Sequence, residues 1–164
     1  MKNPMLIAAL ITGSICCLLD LVGMATTGWV TNKIFDVGLF SLCADSCQSY
    51  SATGAIAAAK AFAVIGWLCA VSAIIDALIY FCKYAKNDEP NRLLPLISAI
   101  LFFVSGISSF LAVISFAAKG RAEAEDAVGP ADFGYSFALT IIGALLALAS
   151  GGLTIVHRGR IGTI

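Results

Sequence analysis

The sequence predicts an all-α membrane protein, in which a bundle of four transmembrane helices carries a small extracellular antiparallel β-sheet formed by the first loop. Three observations support this fold. Of the 164 residues, 60% are hydrophobic and 12% are charged, about half the charged fraction of a soluble domain. Four apolar segments reach the length of about 20 residues that a helix needs to cross the hydrocarbon. A polar stretch with strand-like alternation follows the first of them.

The four apolar segments divide the chain into the helices and loops of one membrane domain covering residues 1–164. The predicted helices lie at about residues 5–27, 55–82, 92–118 and 133–157. The predicted outer loops lie at about residues 29–54 and 119–132. The second helix has only fifteen uncharged residues between Lys60 and Asp76, so these charges must lie near opposite interfaces. A cleaved signal peptide is the rival interpretation of the first segment, but that segment is longer than the apolar core of such peptides.

Charge asymmetry predicts the orientation, because basic residues concentrate on the cytoplasmic side of membrane proteins. One side has six basic and two acidic residues, namely Lys2, Lys83, Lys86, Arg92, Arg158, Arg160, Asp88 and Glu89. The other side has four basic and six acidic residues, namely Lys33, Lys60, Lys119, Arg121, Asp36, Asp45, Glu123, Glu125, Asp126 and Asp132. We therefore expect a multi-pass plasma-membrane protein with both termini in the cytoplasm. A formal net charge of zero argues against a nucleic-acid partner.

Two of the six cysteines, Cys43 and Cys47, lie in the predicted extracellular loop, where oxidising conditions favour a disulfide. An extended strand would separate them by about 13 Å, whereas a disulfide needs Cα atoms closer than about 7 Å. The chain must therefore reverse through residues 44–46 if the two cysteines pair, and two free thiols are the alternative. Cys82, at the predicted cytoplasmic end of the second helix, is a candidate for palmitoylation.

Small and charged residues within the helices predict how the bundle packs. Gly143, Ala147 and Gly151 recur every four positions on the last helix and form one face where backbones can approach closely. We interpret this face as a seam within the bundle rather than a dimer interface. Asp20 and Lys60 lie near the same predicted outer interface, and we expect them to form a structural pair. An ion-relay role for Asp20 is the alternative.

The sequence does not predict an enzyme, a metal site or a cofactor. His157 is the single histidine, and its basic surroundings at the end of the last helix indicate an interfacial residue rather than a general base. Asp76 is expected to contact Lys83 or the inner interface. The acids between Glu123 and Asp126 could bias an aqueous path toward cations, but we prefer to interpret them as a solvated charge cluster.

The first loop has the most specific pattern. Trp29 follows the first helix, where an interfacial tryptophan is expected. The stretch Phe35–Cys43 alternates imperfectly and predicts a β-strand, with a second strand after Cys47. The first loop contains, in order, Trp29, Gly38-Leu39-Phe40, and the two cysteines Cys43 and Cys47. This order resembles the first-loop signature of the claudin, peripheral myelin protein and epithelial membrane protein superfamily.

Two further motifs strengthen the resemblance. The run Ala57–Ala61 resembles the start of the claudin second helix, and Phe133–Phe137 resembles the motif that opens the fourth helix. The sequence also departs from the family pattern. Phe40 stands where the family usually has tryptophan, the two cysteines are closer together, and the first loop is short. We therefore expect fewer or shorter strands than in a full claudin sheet.

The resemblance implies a protein of the lipid bilayer that acts at cell–cell contacts. A claudin-like protein would self-associate in the membrane and across the intercellular gap, and so form or regulate a paracellular barrier at tight junctions. Phe35 and Tyr50 are candidate contact residues, whereas we expect Leu39 and Phe40 to be buried beneath the sheet. Other members of the superfamily suggest the alternative of an auxiliary subunit that modulates a channel or receptor. Gly162 in the C-terminal tail does not favour binding to a PDZ scaffold.

Overall fold

The computed structural model describes residues 4–32, 34–43, 46–49, 54–85 and 93–161, and it confirms the predicted fold of four long helices with a small antiparallel sheet. The spanning helices are α1 (Pro4–Ala25), α2 (Gly54–Ala85), α3 (Leu93–Ser115) and α5 (Tyr135–Ile161). Each is long and apolar enough to cross a membrane. Residues discussed above that lie outside the described part are Lys2, Lys33, Asp45, Tyr50, Lys86, Asp88, Glu89, Arg92 and Gly162.

The third helix continues beyond the membrane, which the sequence did not predict. A π-helical turn at Phe116–Gly120 joins α3 to helix α4, Arg121–Val128, and the helix to Asp126 is 34 residues long. Crossing the hydrocarbon needs about 20 residues, so α4 projects past it. The loop expected at 119–132 was placed by hydropathy, which falls where charges begin. Alanine and glutamate in α4 are nevertheless good helix formers in water, and the helix stops at Gly129, whose φ is 85°.

The sheet has five short strands in the order β4-β3-β2-β1-β5, each antiparallel to its neighbours. The strands are β1 (Val30–Thr31), β2 (Asp36–Val37), β3 (Ser41–Cys43), β4 (Cys47–Ser49) and β5 (Asp132–Phe133). Four come from the first loop, where the sheet was expected, but β5 comes from the chain between α4 and α5. The prediction of one strand over 35–43 is wrong, because the chain turns at Gly38, whose N–H donates to the Ser41 carbonyl at 2.8 Å.

Gly38 places this turn directly on the top of the bundle. A Cβ at this position would lie 2.7 Å from the Thr26 carbonyl oxygen and 2.8 Å from the Thr27 Cα. Both are backbone atoms that cannot move aside, so the close approach requires glycine. The β2–β3 hairpin therefore lies against the chain that leaves α1. We call this end of the bundle the sheet end, and the other end the opposite end.

Hydrogen-bonded and small side chains join the helices within the bundle. Helix α1 packs on α5, α2 on α3, and α3 on α5. Two hydroxyl pairs connect the α1 region to α5, one from Thr12 of α1 to Ser150 at 2.7 Å and one from Thr26, directly after α1, to Ser136 at 2.6 Å. Such bonds satisfy polar groups that water cannot reach in hydrocarbon. Aliphatic side chains face outward, and on α3 these are Leu93, Ile97, Ile100, Val104, Ile107, Leu111 and Ile114.

Candidate functional site at the sheet end

An aromatic cluster of Trp29, Phe116, Phe133 and Phe137 attaches the sheet to the bundle. The Trp29 ring is fully buried, and its centroid lies 4.9 Å from that of Phe116 and 5.9 Å from that of Phe137, both in edge-to-face geometry. Phe133 of β5 stacks on Phe137 of α5 at 4.4 Å. Aromatic pairs of this kind each contribute about 0.5–1.5 kcal/mol beyond the burial of their area.

Trp29 follows α1, where an interfacial tryptophan was expected, but its side chain is buried within the protein. Its indole N–H donates to the Gly23 carbonyl at 2.7 Å, beneath the sheet. Its backbone N–H donates to the Val37 carbonyl at 3.1 Å, and its own carbonyl accepts from Gly134 at 3.0 Å. Trp29 thus joins α1, β2 and the start of α5, which makes it a support of the sheet rather than an anchor in the membrane surface.

The predicted disulfide between Cys43 and Cys47 is confirmed. The two residues lie directly opposite each other in β3 and β4, with Cα atoms 4.0 Å apart. The reversal expected between them includes Ala44 and Asp45, which lie outside the described residues. The disulfide therefore closes the outermost hairpin of the sheet, whose strand β4 is exposed along its length.

Leu39 and Phe40 were both expected to be buried, and this is confirmed only for Leu39. Leu39 is fully buried beneath the sheet, whereas Phe40 is 41% exposed. The Nζ atom of Lys60 lies 5.4 Å from the centroid of the Phe40 ring, a cation–π geometry. Successive residues in a tight turn point in different directions, so the burial of Leu39 leaves Phe40 facing outward.

The expected pair between Asp20 and Lys60 does not form, although the structure describes both residues. Asp20 is only 4% exposed, and its Oδ2 accepts hydrogen bonds from the Ser109 hydroxyl at 3.2 Å and the Cys16 thiol at 3.7 Å. Position along the helices predicted a similar depth for Asp20 and Lys60 but did not predict their faces. Asp20 faces α3 and α5, whereas Lys60 faces the β2–β3 hairpin.

The small-residue face of α5 lies inside the bundle. A Cβ on Gly143 would meet Asp20 of α1, and a Cβ on Gly151 would lie 3.1 Å from the Phe103 ring of α3. Ala147, between them, is fully buried. This face therefore packs α5 against both α1 and α3, which supports its interpretation as an intramolecular seam.

Glu123 joins the outer helix α4 to the start of α2. Its Oε1 accepts from the Ala55 N–H at 2.9 Å, and its Oε2 accepts from the Ile56 N–H at 3.3 Å. These are free donors of a helix N-terminus, where a carboxylate is also favoured by the helix dipole. A contact between segments so distant in sequence had no signal in the sequence, which is why Glu123 was interpreted as part of a solvated cluster.

Arg121 holds the chain between α4 and β5. Its Nε donates to Glu125 at 2.8 Å, and its guanidinium donates to the Ala131 carbonyl at 2.9 Å. The guanidinium carbon lies 4.9 Å from the centroid of the Phe133 ring. The hydrogen bond from Arg121 lowers the pKa of the Glu125 carboxyl, which lies on α4 beyond the hydrocarbon. The spacing of four residues on an alanine-rich stretch could have predicted this pair.

The remaining candidate residues lie toward the opposite end. Cys82 is a free, exposed cysteine there, so palmitoylation stays a prediction. His157 was expected at an interface, but it is fully buried, and its ring packs edge-to-face on Tyr80. Asp76 and Lys83 both lie in the described part of the chain and form no ion pair there, so the contact of Asp76 with the inner interface stays a prediction. In the described part of the chain, no three histidine, cysteine or acidic side chains form a group that could hold a metal ion.

The protein has four membrane-spanning helices, and buried aromatic residues attach a disulfide-bonded sheet to one end of the helix bundle. This arrangement defines a multi-pass membrane protein that presents the sheet on one side of the membrane. The model of the family described as tight junction protein, claudin-like, matches residues 1–160. The chain therefore belongs to the claudin-like family of tight junction proteins. No individually curated protein sequence matches it at a significant level.

Proposed function

We propose that the protein is a cell–cell contact protein that self-associates in the membrane and across the intercellular gap, and so forms or regulates a paracellular barrier. In this proposal the sheet end is extracellular and both termini are cytoplasmic. The basic residues of the opposite end support this orientation, and membership of a tight junction family supports the junctional location.

The observation that supports this proposal is a group of exposed apolar side chains on and beside the sheet, which the aromatic cluster attaches to the bundle. Ile34 is 72% exposed, and Phe40 and Tyr135 are also exposed. Ile34 lies in the turn between β1 and β2, where Asn32 Oδ1 accepts from the N–H groups of Ile34 and Phe35, both at 2.8 Å. These two hydrogen bonds fix the backbone at Ile34 and Phe35, so Ile34 loses little conformational freedom when it binds a partner. The sequence pattern did not indicate Ile34 as a contact residue.

Two of these apolar groups lie at opposite ends of β2 and suit two kinds of contact. Phe40 belongs to the turn that Gly38 holds against the top of α1, so it lies close to the membrane and suits lateral contacts. Ile34 belongs to the turn before β2 and is the more exposed of the two side chains, so we assign it to contacts across the gap. Assembly into a row needs at least two contact surfaces on each copy, and the sheet provides them.

Freeze-fracture of cells that express only this chain tests the proposal. The wild type should form continuous intramembrane strands at cell contacts. Ile34→Ser should reach the cell surface but form few strands at cell contacts, because serine removes the exposed apolar group. The conservative Ile34→Val should form strands like the wild type. Strands of wild-type abundance in Ile34→Ser would contradict the role of this residue. Dispersed wild-type particles that co-purify with a channel would instead favour the auxiliary-subunit function.

A further inference from the structure

A groove of about 510 Å³ lies beside the exposed Ile34 side chain at the sheet end. Strand β1, the turn before β2, and the chain from α4 to β5 form its walls. The lining residues include Thr31, Ile34, Arg121, Pro130, Ala131 and Asp132, and we call this cavity the Ile34 groove. A projecting apolar side chain and a concave surface therefore lie next to each other.

Neither lipid nor the rest of the described chain covers Ile34. It has the largest exposed fraction among the large hydrophobic side chains that the structure describes. Most of the other exposed hydrophobic side chains belong to the spanning helices, where hydrocarbon surrounds them. Ile34 lies in the sheet, outside the hydrocarbon, so its side chain contacts water until a partner protein covers it.

The Ile34 groove contains a cation and an anion that do not pair with each other. In the described residues Arg121 forms its ion pair with Glu125, and Asp132 is exposed. A guanidinium has five N–H donors, of which Glu125 and the Ala131 carbonyl accept one each. The remaining donors of Arg121 can bind a carboxylate from outside, and Asp132 can bind a cation from outside. The groove is thus complementary in charge to a second copy of itself.

The arrangement of projection and groove also favours a second copy. Two identical surfaces that meet face to face are related by a two-fold axis, and each then makes the same contacts to the other. Such a contact requires the projecting group and the surface that receives it to lie side by side. If they lay on opposite sides of the molecule, they would instead generate an open chain of copies.

We propose that two copies on apposed membranes pair through this surface, with Ile34 of each copy seated in the Ile34 groove of the other. In this arrangement Arg121 of each copy faces Asp132 of the other. The inference rests on the proposed contact function and deepens it, because it names a second copy of this chain as the partner of Ile34 and gives the register of the pair.

Cysteine cross-linking between two cell populations tests this register. One population expresses Ile34→Cys and the other expresses Pro130→Cys, with different tags, so that the second, symmetry-related contact of each pair keeps its native residues. The mixed cells are treated with an oxidant that does not cross the membrane. We expect a disulfide-linked species that carries both tags, because a disulfide requires Cα atoms closer than about 7 Å. The wild type shows the background of the native cysteines, and Phe40→Cys, exposed in the other turn, should not cross-link to Pro130→Cys.

Aspartate substitutions test the charge contact in the same assay. Asp132→Asn in the Ile34→Cys population removes one of the two expected contacts with Arg121. An exposed ion pair contributes about 0.2–1 kcal/mol, so the cross-linked yield should fall by up to about fivefold. Asp36→Asn is the matched control, because Asp36 is exposed in the same sheet but does not line the groove, and its yield should be unchanged.

Several results would overturn the inference. One is the absence of the doubly tagged species while both variants reach the surface and the cells form intramembrane strands, which would leave the proposed function intact. Cross-linking only when both variants are expressed in one cell would assign the groove to neighbours in the same membrane. Equal cross-linking of Phe40→Cys would show that the contact has no fixed register, and equal yields of Asp132→Asn and Asp36→Asn would contradict the charge pairing. Wild-type cells that form no strands would contradict both the inference and the proposed function.

Discussion

Replacing Gly143 by alanine should destabilise the bundle, whereas the same replacement at Gly152 on the same helix should not. A Cβ on Gly143 would lie 2.5 Å from Asp20 Oδ1 and 3.2 Å from Asp20 Cγ, while a Cβ on Gly152 would meet nothing within 4 Å. Alanine at either position gains up to about 1 kcal/mol of helix propensity. The difference between the two variants therefore isolates the steric contact with Asp20.

The size of this difference depends on whether Asp20 can move away from Gly143. The Asp20 carboxyl accepts hydrogen bonds from Ser109 and Cys16, and its buried position leaves no water to replace them, so movement would leave polar groups unsatisfied. Overpacking of a tightly packed interior costs about 1–3 kcal/mol. We expect the unfolding free energy of Gly143→Ala to be lower than that of Gly152→Ala by this amount.

Denaturant titration in micelles, followed by circular dichroism, measures these unfolding free energies. In an Asp20→Ala background the obstacle is absent, so Gly143→Ala should behave like Gly152→Ala. The resulting coupling energy between positions 20 and 143 should be at least about 1 kcal/mol. Equal stability of the two glycine variants in the wild-type background would refute the reasoning, and so would a penalty on Gly143→Ala that persists without the Asp20 carboxyl.

Three further predictions concern the sheet end, and the same titration checks each of them. Replacing Cys43 and Cys47 by serine should lower the unfolding free energy by about 2 kcal/mol in the loop-entropy account, and reductant should lower the stability of the wild type but not of this variant. Trp29→Phe should cost about 1–3 kcal/mol, because it leaves a buried carbonyl without its donor; wild-type stability would contradict the hydrogen bond. Glu123→Ala should cost about 0.5–2 kcal/mol as a lost helix cap, whereas Asp126→Ala, exposed on the same helix, should cost much less.

The sequence predicted the spanning helices because hydrocarbon imposes one strong condition, which is a long run of apolar residues. Outside the hydrocarbon this condition no longer applies, so hydropathy does not locate the end of a helix there. Hydropathy falls at Lys119, but the helix continues to Val128, since in water helix formation depends on propensity and i,i+4 pairs rather than on apolar character. The sheet was predicted from alternation and from the paired cysteines, both of which are local signals.

Contacts between distant segments could not be read from the sequence. Strand β5 joins the sheet by pairing with β1, and its two residues carry no alternation to detect. Asp20 and Lys60 were paired because their depths agree, but the face that each presents depends on how four helices rotate against one another. The burial of Trp29 and the exposure of Phe40 both depend on where the β2–β3 hairpin packs on the bundle, which the sequence does not indicate.

The residues that resemble the family signature support the sheet more than they form its contact surface. Trp29 and Leu39 are fully buried, Gly38 has no space for a side chain, and the cysteines close a hairpin. A requirement for packing restricts such positions to few residue types, which explains why they are the recognisable ones. If self-association occurs through the sheet, its specificity must therefore come from exposed residues outside these buried positions, such as Ile34. A resemblance in the signature then indicates how the sheet packs on the bundle, whereas the residues of the exposed turns determine which partner the sheet binds.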